Sequence, residues 1–205
     1  MKFSVIMASR LVQYPSAAKD RENKLIRAVN SVMNQTFSDW ELIVIADGCK
    51  RTVELLKGAD DIVLLQCEHR KLWAGTPRNT GILNAKGEWI VYLDNDDIYG
   101  ENHLEKINNG LLTYDWVWYN DIRYKPKDNM WYENQCDIHT IGRHGTSNVC
   151  HKRSLGLLWP EEGKYAHDYH FCQQLLNFKN GGKIATPEYY VCHVPGAVNS
   201  GGYDL

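Results

Sequence analysis

Apolar runs and amphipathic segments alternate through the first half of the chain. Each apolar run predicts a buried strand: Phe3 to Ala8, Glu41 to Ala46, Asp61 to Gln66, Trp89 to Leu93 and Asp115 to Tyr119. Residues 20–34 predict a helix, because apolar side chains recur there at helical spacing, and residues 102–112 predict another. Continuous apolar strands that alternate with helices are typical of an α/β fold with a mainly parallel sheet.

A further helix is predicted between the third and fourth of these strands. Thr76 is a good N-cap residue, and Pro77 would then occupy the first helical position. Gly87 is typical of a stop after a helix. This helix would lead directly into the strand that begins at Trp89.

The second half has a different pattern. Residues 120–150 are polar and aromatic, and the turn signal at Lys127-Asp128-Asn129 predicts short strands or a hairpin. Residues 168–178 have helical spacing, and Tyr189 to His193 predicts a late strand. The chain has 205 residues, which suits one domain, and we interpret it as a single domain with halves 1–112 and 113–205.

Composition excludes several classes of function. The net charge is −2, so no broad electrostatic attraction to nucleic acid or to an anionic membrane is expected. The six cysteines form no C-x-x-C pair, which argues against a structural zinc site. No apolar stretch approaches the ~20 residues of a membrane span, and the run Phe3 to Ala8 is short for a signal peptide. We therefore expect a cytoplasmic protein with reduced thiols and no membrane span.

The residues that follow the predicted strands are the first candidates for a site. In open α/β sheets, ligands bind beyond the carboxyl ends of the strands. In this sequence those positions are Ser9-Arg10, Asp47-Gly48, Gln66 to Glu68 and Asp94 to Asp97.

Three carboxylates emerge within four residues after the strand that begins at Trp89. Asp94, Asp96 and Asp97 would repel one another unless a cation offsets their charge. Carboxylate oxygens suit Mg²⁺ or Mn²⁺, usually in a site shared with substrate phosphates. The alternative is a solvated acidic turn that caps the next helix.

Arg78 and Asp47 are weaker signals of the same kind. Arg78 lies near a predicted helix start, where its guanidinium and the helix N-terminus would both favour phosphate, although it could be an ordinary exposed Arg with Gly81 serving close helix–sheet packing. Asp47 could accept a hydrogen bond from a base or a ribose hydroxyl, or it could belong to a simple Asp-Gly turn.

The order of these motifs resembles glycosyltransferase family 2. The matching segments cover roughly residues 3–112: Met7-Ala8-Ser9-Arg10, Ser31 to Leu42, Ala46-Asp47-Gly48-Cys49, Pro77-Arg78-Asn79-Thr80-Gly81 and Asp94-Asn95-Asp96-Asp97. Ala46 replaces the first Asp of the family's usual pair, and Cys49 replaces its Ser. The resemblance implies a GT-A fold, which is Rossmann-like and typical of nucleotide-diphospho-sugar transferases, with a mixed, mainly parallel central sheet.

The resemblance also implies an activity and a set of site residues. It implies transfer of a sugar from a UDP-sugar to a carbohydrate or glycan acceptor, with Mn²⁺ or Mg²⁺ as cofactor. The first half would bind the donor, and the second half would shape the acceptor site. The implied donor-binding residues are Ser9, Arg10, Asp47, Arg78, Asp94, Asn95 and Asp96.

The same resemblance assigns metal ligands and a base. Asp94 and Asp96 would hold the metal, and His193 would be a third ligand in competition with His151, His167 and His170 or would be a structural His. Asp168 would be the catalytic base of an inverting displacement, with His167 where the family has Glu. Asp168 could instead be the N-cap of the helix over 168–178.

Two other functions remain open from the sequence. A sugar nucleotidyltransferase usually has a Gly-rich loop after the first strand, and residues 9–20 contain no Gly. A catalytically inactive nucleotide-sugar or glycan binder would share the same motifs. In the transferase, Trp131, Trp159 and Tyr165 are candidates for stacking on the acceptor sugar.

Overall fold

A seven-stranded sheet forms the centre of the computed structural model, which describes residues 1–12, 20–70, 74–125, 128–161 and 166–192. In chain order the strands are β1 (Phe3–Ser9), β2 (Trp40–Asp47), β3 (Ile62–Cys67), β4 (Trp89–Tyr92), β5 (Ile98–Tyr99), β6 (Trp116–Trp118), β7 (Asp121–Lys125), β8 (Met130–Asn134), β9 (Val149–Lys152), β10 (Gly181–Lys183) and β11 (Tyr189–Val191). The helices are α1 (Arg21–Met33), α2 (Lys50–Leu56), α3 (Gly75–Asn84), α4 (His103–Leu111) and α5 (His167–Leu175), with 3₁₀ turns at Thr146–Asn148 and Arg153–Leu155.

The central sheet is mixed and mainly parallel, as predicted. Its order is β10-β6-β9-β4-β1-β2-β3. Strands β4, β1, β2 and β3 are parallel neighbours, and β10 is parallel to β6. Strand β9 runs antiparallel to both β4 and β6, so the second half of the chain completes the sheet of the first half.

Alternation along the parallel strands creates a core on each face of the sheet. Val5 and Met7 of β1 belong to the core that contains Leu25 of α1, whereas Ile6 belongs to the core that contains Phe171 of α5. Helix α3 lies directly on the second face. A Cβ at Gly81 would come within 2.7 Å of Ile6 and 2.8 Å of Ile45, so Gly81 serves close helix–sheet packing.

A smaller sheet of order β5-β11-β7-β8 packs beside the acidic turn. Strands β7 and β8 form the predicted antiparallel hairpin, although Lys127 of the predicted turn lies outside the described residues. Strand β11 connects this sheet to the site, because the hydroxyl of Tyr189 donates to Oδ2 of Asp97 at 2.5 Å.

One predicted helix start is wrong, and the alternative role of Asp168 as an N-cap is excluded. Helix α3 begins at Gly75 with Ala74 as its N-cap, because the N–H of Arg78 already donates to the carbonyl of Ala74 at 3.2 Å, and Thr76 therefore lies inside the first turn. Helix α5 begins at His167 with Ala166 as its N-cap. Asp168 is therefore inside the helix and is not its N-cap. None of the helices in the described ranges is long and apolar enough to cross a membrane.

We expect stability to decrease in mild acid because buried imidazoles are held neutral. Burial lowers the pKa of His103 to about 3 and that of His151 to about 4. Both values lie below the ~6.5 of an unfolded His, so protons bind the unfolded chain more readily, and stability is lost as the pH falls from ~6.5 towards these folded values.

The test compares wild type with His103→Phe by urea unfolding at pH 7.5 and pH 5. Between these pH values, wild type should lose about 2 kcal/mol more unfolding free energy than the variant, on the scale of ~1.4 kcal/mol per pKa unit. The ring of His103 stacks on Tyr99 with centroids 3.7 Å apart, and Phe preserves that contact. Equal losses in the two proteins would contradict a neutral, buried His103.

Candidate active site

A pocket of about 640 Å³ opens at the carboxyl ends of β1, β2 and β4. This volume lies within the usual range for small-molecule and cofactor sites. All seven predicted donor-binding residues line it, and each comes from the first half of the chain. The described lining residues are Ala8, Ser9, Arg10, Arg21, Asp47, His69, Ala74, Arg78, Asp94, Asn95 and Asp96.

The acidic turn after β4 separates its carboxyl groups. The N–H of Asp97 donates to the carbonyl of Asp94 at 3.1 Å and closes the turn. Asp94 and Asp96 face the pocket, and the side chain of Asp94 is 39% exposed. Asp97 is buried on the other side, where it accepts hydrogen bonds from Tyr189 and from the N–H of Cys192 at 2.7 Å. Helix α4 begins only at His103 with Asn102 as its N-cap, so the acidic turn does not cap it.

Burial raises the pKa of Asp97 well above its usual value, and the charges of Asp96 and Asp94 raise it further. The two hydrogen bonds that Asp97 accepts act in the opposite direction. Asp97 is therefore a structural member of the turn, and Asp94 and Asp96 are the two carboxylates that a bound cation could reach.

Asp94 and Asp96 fit a hard divalent cation that completes its shell with substrate. Mg²⁺ usually binds one or two protein carboxylates and takes its other ligands from water and phosphate oxygens. Among the described residues, no group of three or more His, Cys, Asp or Glu side chains is arranged to hold a metal ion. The predicted third ligand, His193, lies outside the described residues.

Arg78 lies at the centre of the site. Its side chain is 7% exposed, so it is not an ordinary surface Arg. Nη2 donates to Oδ1 of Asp94 at 3.1 Å, and Nη1 donates to Nε2 of His167 at 3.0 Å. The guanidinium also lies 4.8 Å from the ring centre of Trp159. These contacts connect the acidic turn to the start of α5.

Asp47 is paired with a residue that the sequence did not indicate. Nδ1 of His69 lies 2.9 Å from Oδ2 of Asp47, and both residues line the pocket. Gly48 has a φ of +58°, and a Cβ there would come within 2.7 Å of Cβ of His69. The Asp-Gly turn therefore allows β2 and the segment after β3 to approach closely.

Arg21 is the second lining residue that sequence reasoning missed. It is the first residue of α1, and its Nη1 donates to the carbonyl of Val12 at 2.6 Å. The signal for His69 was its position two residues after the end of β3, whereas Arg21 comes from a helix start that faces the pocket only in the folded chain.

Ser9 and Asn95 join the ends of two neighbouring strands. Nδ2 of Asn95 donates to Oγ of Ser9 at 3.2 Å, and Oγ of Ser9 lies 3.0 Å from Oγ1 of Thr52. Both side chains are buried, so they hold the base of the pocket together. Arg10, the next residue after β1, is half-buried at the pocket wall.

Asp168 lies in the first turn of α5, outside the set of residues that line the pocket. Its Oδ1 accepts the N–H of Tyr169 at 2.8 Å. The preceding residue, His167, accepts a hydrogen bond from Arg78. Burial, together with the charge of Arg78, lowers the pKa of His167 to about 4, so this imidazole is neutral at pH 7.

The other candidate residues have different surroundings. Both ring nitrogens of His151 are engaged in the core, with Tyr92 at 2.8 Å and the carbonyl of Lys152 at 3.1 Å. His170 is exposed.

Of the three aromatic candidates, Trp159 is the clearest error. It is buried and stacked on Phe171 with ring centres 4.1 Å apart, so it cannot stack on an acceptor sugar. Trp131 packs edge-on against Tyr124 and Tyr190, and Tyr165 lies outside the described residues.

Comparison with known proteins defines the class of this chain. The sequence profile described as glycosyl transferase family 2 matches residues 17–179, so the chain belongs to that family. It is 37% identical over 92 residues to the poly(ribitol-phosphate) β-N-acetylglucosaminyltransferase TarP of Staphylococcus aureus. The aligned region covers 42% of this chain and 28% of TarP. It is 35% identical over 102 residues to the UDP-Glc:α-D-GlcNAc-diphosphoundecaprenol β-1,3-glucosyltransferase WfgD of Escherichia coli. That aligned region covers 48% of this chain and 40% of WfgD.

Solved structures show the same fold. The crystal structure of S. aureus TarS 1–349 in complex with UDP-GlcNAc matches with a TM-score of 0.73 at 21% identity, covering 100% of this chain and 62% of that one. The predicted GT-A fold is therefore confirmed. The chain spans less than half the length of the two curated relatives above.

The different surroundings of Asp97 and Asp96 predict unequal losses of stability when each is replaced by Ala. Asp97→Ala should lower the free energy of unfolding by about 2 kcal/mol or more, because it removes a buried acceptor from Tyr189 and from the N–H of Cys192. Asp96→Ala should lower it by less than Asp97→Ala does, because the side chain of Asp96 is only partly buried and faces the pocket. Urea unfolding of both variants measures the difference, and equal losses would contradict the structural role of Asp97.

Proposed function

We propose that this chain is the donor-binding and catalytic domain of a glycosyltransferase that moves a sugar from a UDP-sugar to a hydroxyl group of a carbohydrate or glycan acceptor. The observation that carries the proposal is the single pocket lined by all seven residues expected at the donor. Three of them are carboxylates and two are arginines, which suits a ligand that combines a diphosphate, a metal ion and hydroxyl-rich groups.

The choice of UDP is supported by Asp47 and by the relatives. WfgD carries UDP-Glc in its name, and TarS has been crystallised with UDP-GlcNAc. Asp47 lies at the end of β2, where its carboxylate can accept from the N–H of a uracil or from a ribose hydroxyl. His69 holds Oδ2 of Asp47 and so fixes the direction of the carboxylate.

Asp94 and Asp96 would hold Mn²⁺ or Mg²⁺, which when bound neutralises charge on the diphosphate leaving group. Arg78 contributes a fixed positive charge beside them. Its guanidinium is oriented by Asp94 and His167, so little reorganisation is needed when an anion enters.

Asp168 is the residue proposed to take the proton from the acceptor hydroxyl. It follows His167, which is bonded to Arg78, so the start of α5 is attached to the donor pocket. Attack by that hydroxyl on the anomeric carbon, with departure of UDP from the opposite face, is a single displacement that inverts the anomeric centre. The transition state has oxocarbenium character, as in glycoside hydrolysis.

Nucleotide binding tests the donor and the metal together. Isothermal titration should show that UDP binds more tightly with Mn²⁺ than in EDTA, because the carboxylates and the diphosphate repel each other without a cation. Asp94→Asn and Asp96→Asn should each reduce the Mn²⁺ dependence. Equal affinity in EDTA would contradict the metal assignment, and tighter binding of GDP would contradict uracil recognition.

Asp168→Asn tests the base. Asn keeps the shape of the side chain and can still accept a hydrogen bond from the N–H of Tyr169. The melting temperature should therefore be close to that of wild type, and the UDP affinity should stay within a few-fold of it. Sugar transfer, or slow hydrolysis of a UDP-sugar if the acceptor is unknown, should fall by ~100-fold or more, the usual scale for loss of a general base. Near-normal turnover by the variant would exclude Asp168. Lack of turnover by wild type across a panel of UDP-sugars and acceptors would favour a binding protein.

A further inference from the structure

His167 gives Arg78 a hydrogen-bond partner without giving it a second negative charge. We infer that His167 is a positioning residue that holds the Arg78 guanidinium as a neutral acceptor and thereby avoids a net negative charge beside the donor phosphates. The phosphate part of this inference rests on the proposed function. The contact itself stands on the geometry of α3 and α5.

The hydrogen-bond chemistry fixes the state of the imidazole. An arginine side chain is always charged and has only donor groups. Nε2 of His167, 3.0 Å from Nη1 of Arg78, must therefore be the unprotonated nitrogen, and the ring proton is on Nδ1. A protonated His167 would place two cations in contact with little solvent around them.

The charge balance at Arg78 depends on this choice. Asp94 already provides one carboxylate, with Oδ1 at 3.1 Å from Nη2. A Glu at position 167, as in the family pattern that this sequence resembles, would give Arg78 a second carboxylate. The group would then carry a net negative charge beside the pocket and would repel a diphosphate. The imidazole keeps the orientation and avoids that repulsion.

The segment before α5 is hydrogen-bonded to Asn79, the residue of α3 that follows Arg78. Nδ2 of Asn79 donates to the carbonyl of Trp159 at 3.0 Å, and its Oδ1 accepts the N–H of Trp159 at 2.7 Å. The Trp159 ring lies beside Arg78 and is stacked on Phe171 of α5. Arg78 is therefore enclosed by fixed groups, and replacing His167 by another hydrogen-bond acceptor alters the charge beside Arg78 more than the position of its guanidinium.

The test compares His167→Glu with His167→Gln and uses His170 as a matched control. His170 is exposed on the same helix, so His170→Glu adds the same charge away from Arg78. His167→Glu should weaken UDP binding by ~10-fold or more, as expected for a new charge near a partly desolvated anion. His167→Gln, which retains a neutral acceptor, should stay within ~3-fold, and His170→Glu within ~2-fold.

Equal UDP affinity of His167→Glu and wild type would overturn the inference, as would an equal loss in His170→Glu. Long-range ¹H–¹⁵N spectra give a readout that does not need ligand or a folded Glu variant. The His167 signals, assigned by their absence in His167→Gln, should show Nδ1 protonated and Nε2 unprotonated at pH 7. A charged ring, or a proton on Nε2, would overturn the inference whatever the UDP affinity. The expected tautomer in a wild-type protein that binds no UDP would support the Arg78–His167 contact and contradict the proposed function.

Discussion

The accumulation of negative charge at the end of β4 is the constraint on which the site depends. Three carboxylates in four residues can be accommodated only if their charges are separated or offset. The fold does both. Asp97 turns inward to Tyr189 of β11, and Asp94 turns outward to Arg78. The smaller sheet and α3 are therefore linked to the same short turn, from opposite sides.

This arrangement explains why the second half of the chain matters to a pocket lined by the first half. Tyr189 of β11 donates a hydrogen bond to the buried carboxylate of Asp97. His167 of α5 accepts a hydrogen bond from Arg78, which in turn pairs with the more exposed Asp94. Elements of the second half thus contribute to the charge and the shape of the pocket. The side chain at position 167 is an imidazole, where the pattern that this sequence resembles has Glu.

Much of the fold could be predicted from periodicity. The strands of the parallel core are continuous apolar runs, and helix α1 shows a clear apolar face. Helix α2 was missed because seven residues contain too little periodicity, and β9 and β10 because three or four residues pair with strands distant in sequence. The predicted N-cap at Thr76 is wrong because a capping residue indicates a helix start only from its local sequence, and here Ala74 occupies that position. The alternative role of Asp168 as an N-cap is excluded in the same way, because Ala166 occupies it.

The candidate site was predictable where its residues follow strands directly. Ser9, Asp47 and Asp94 meet at one edge because parallel strands share their carboxyl ends. His69, Arg21 and the Arg78–His167 contact were not predictable, because each depends on where a loop or helix end lies after folding.

A crystal structure with UDP and Mn²⁺ would locate the nucleotide and the metal in one experiment. We expect an anomalous manganese peak within coordination distance of carboxylate oxygens of Asp94 or Asp96, with the uracil beside Asp47 and the diphosphate between Arg78 and the metal. Manganese bound elsewhere, or UDP ordered in this pocket with no metal at either carboxylate, would contradict it.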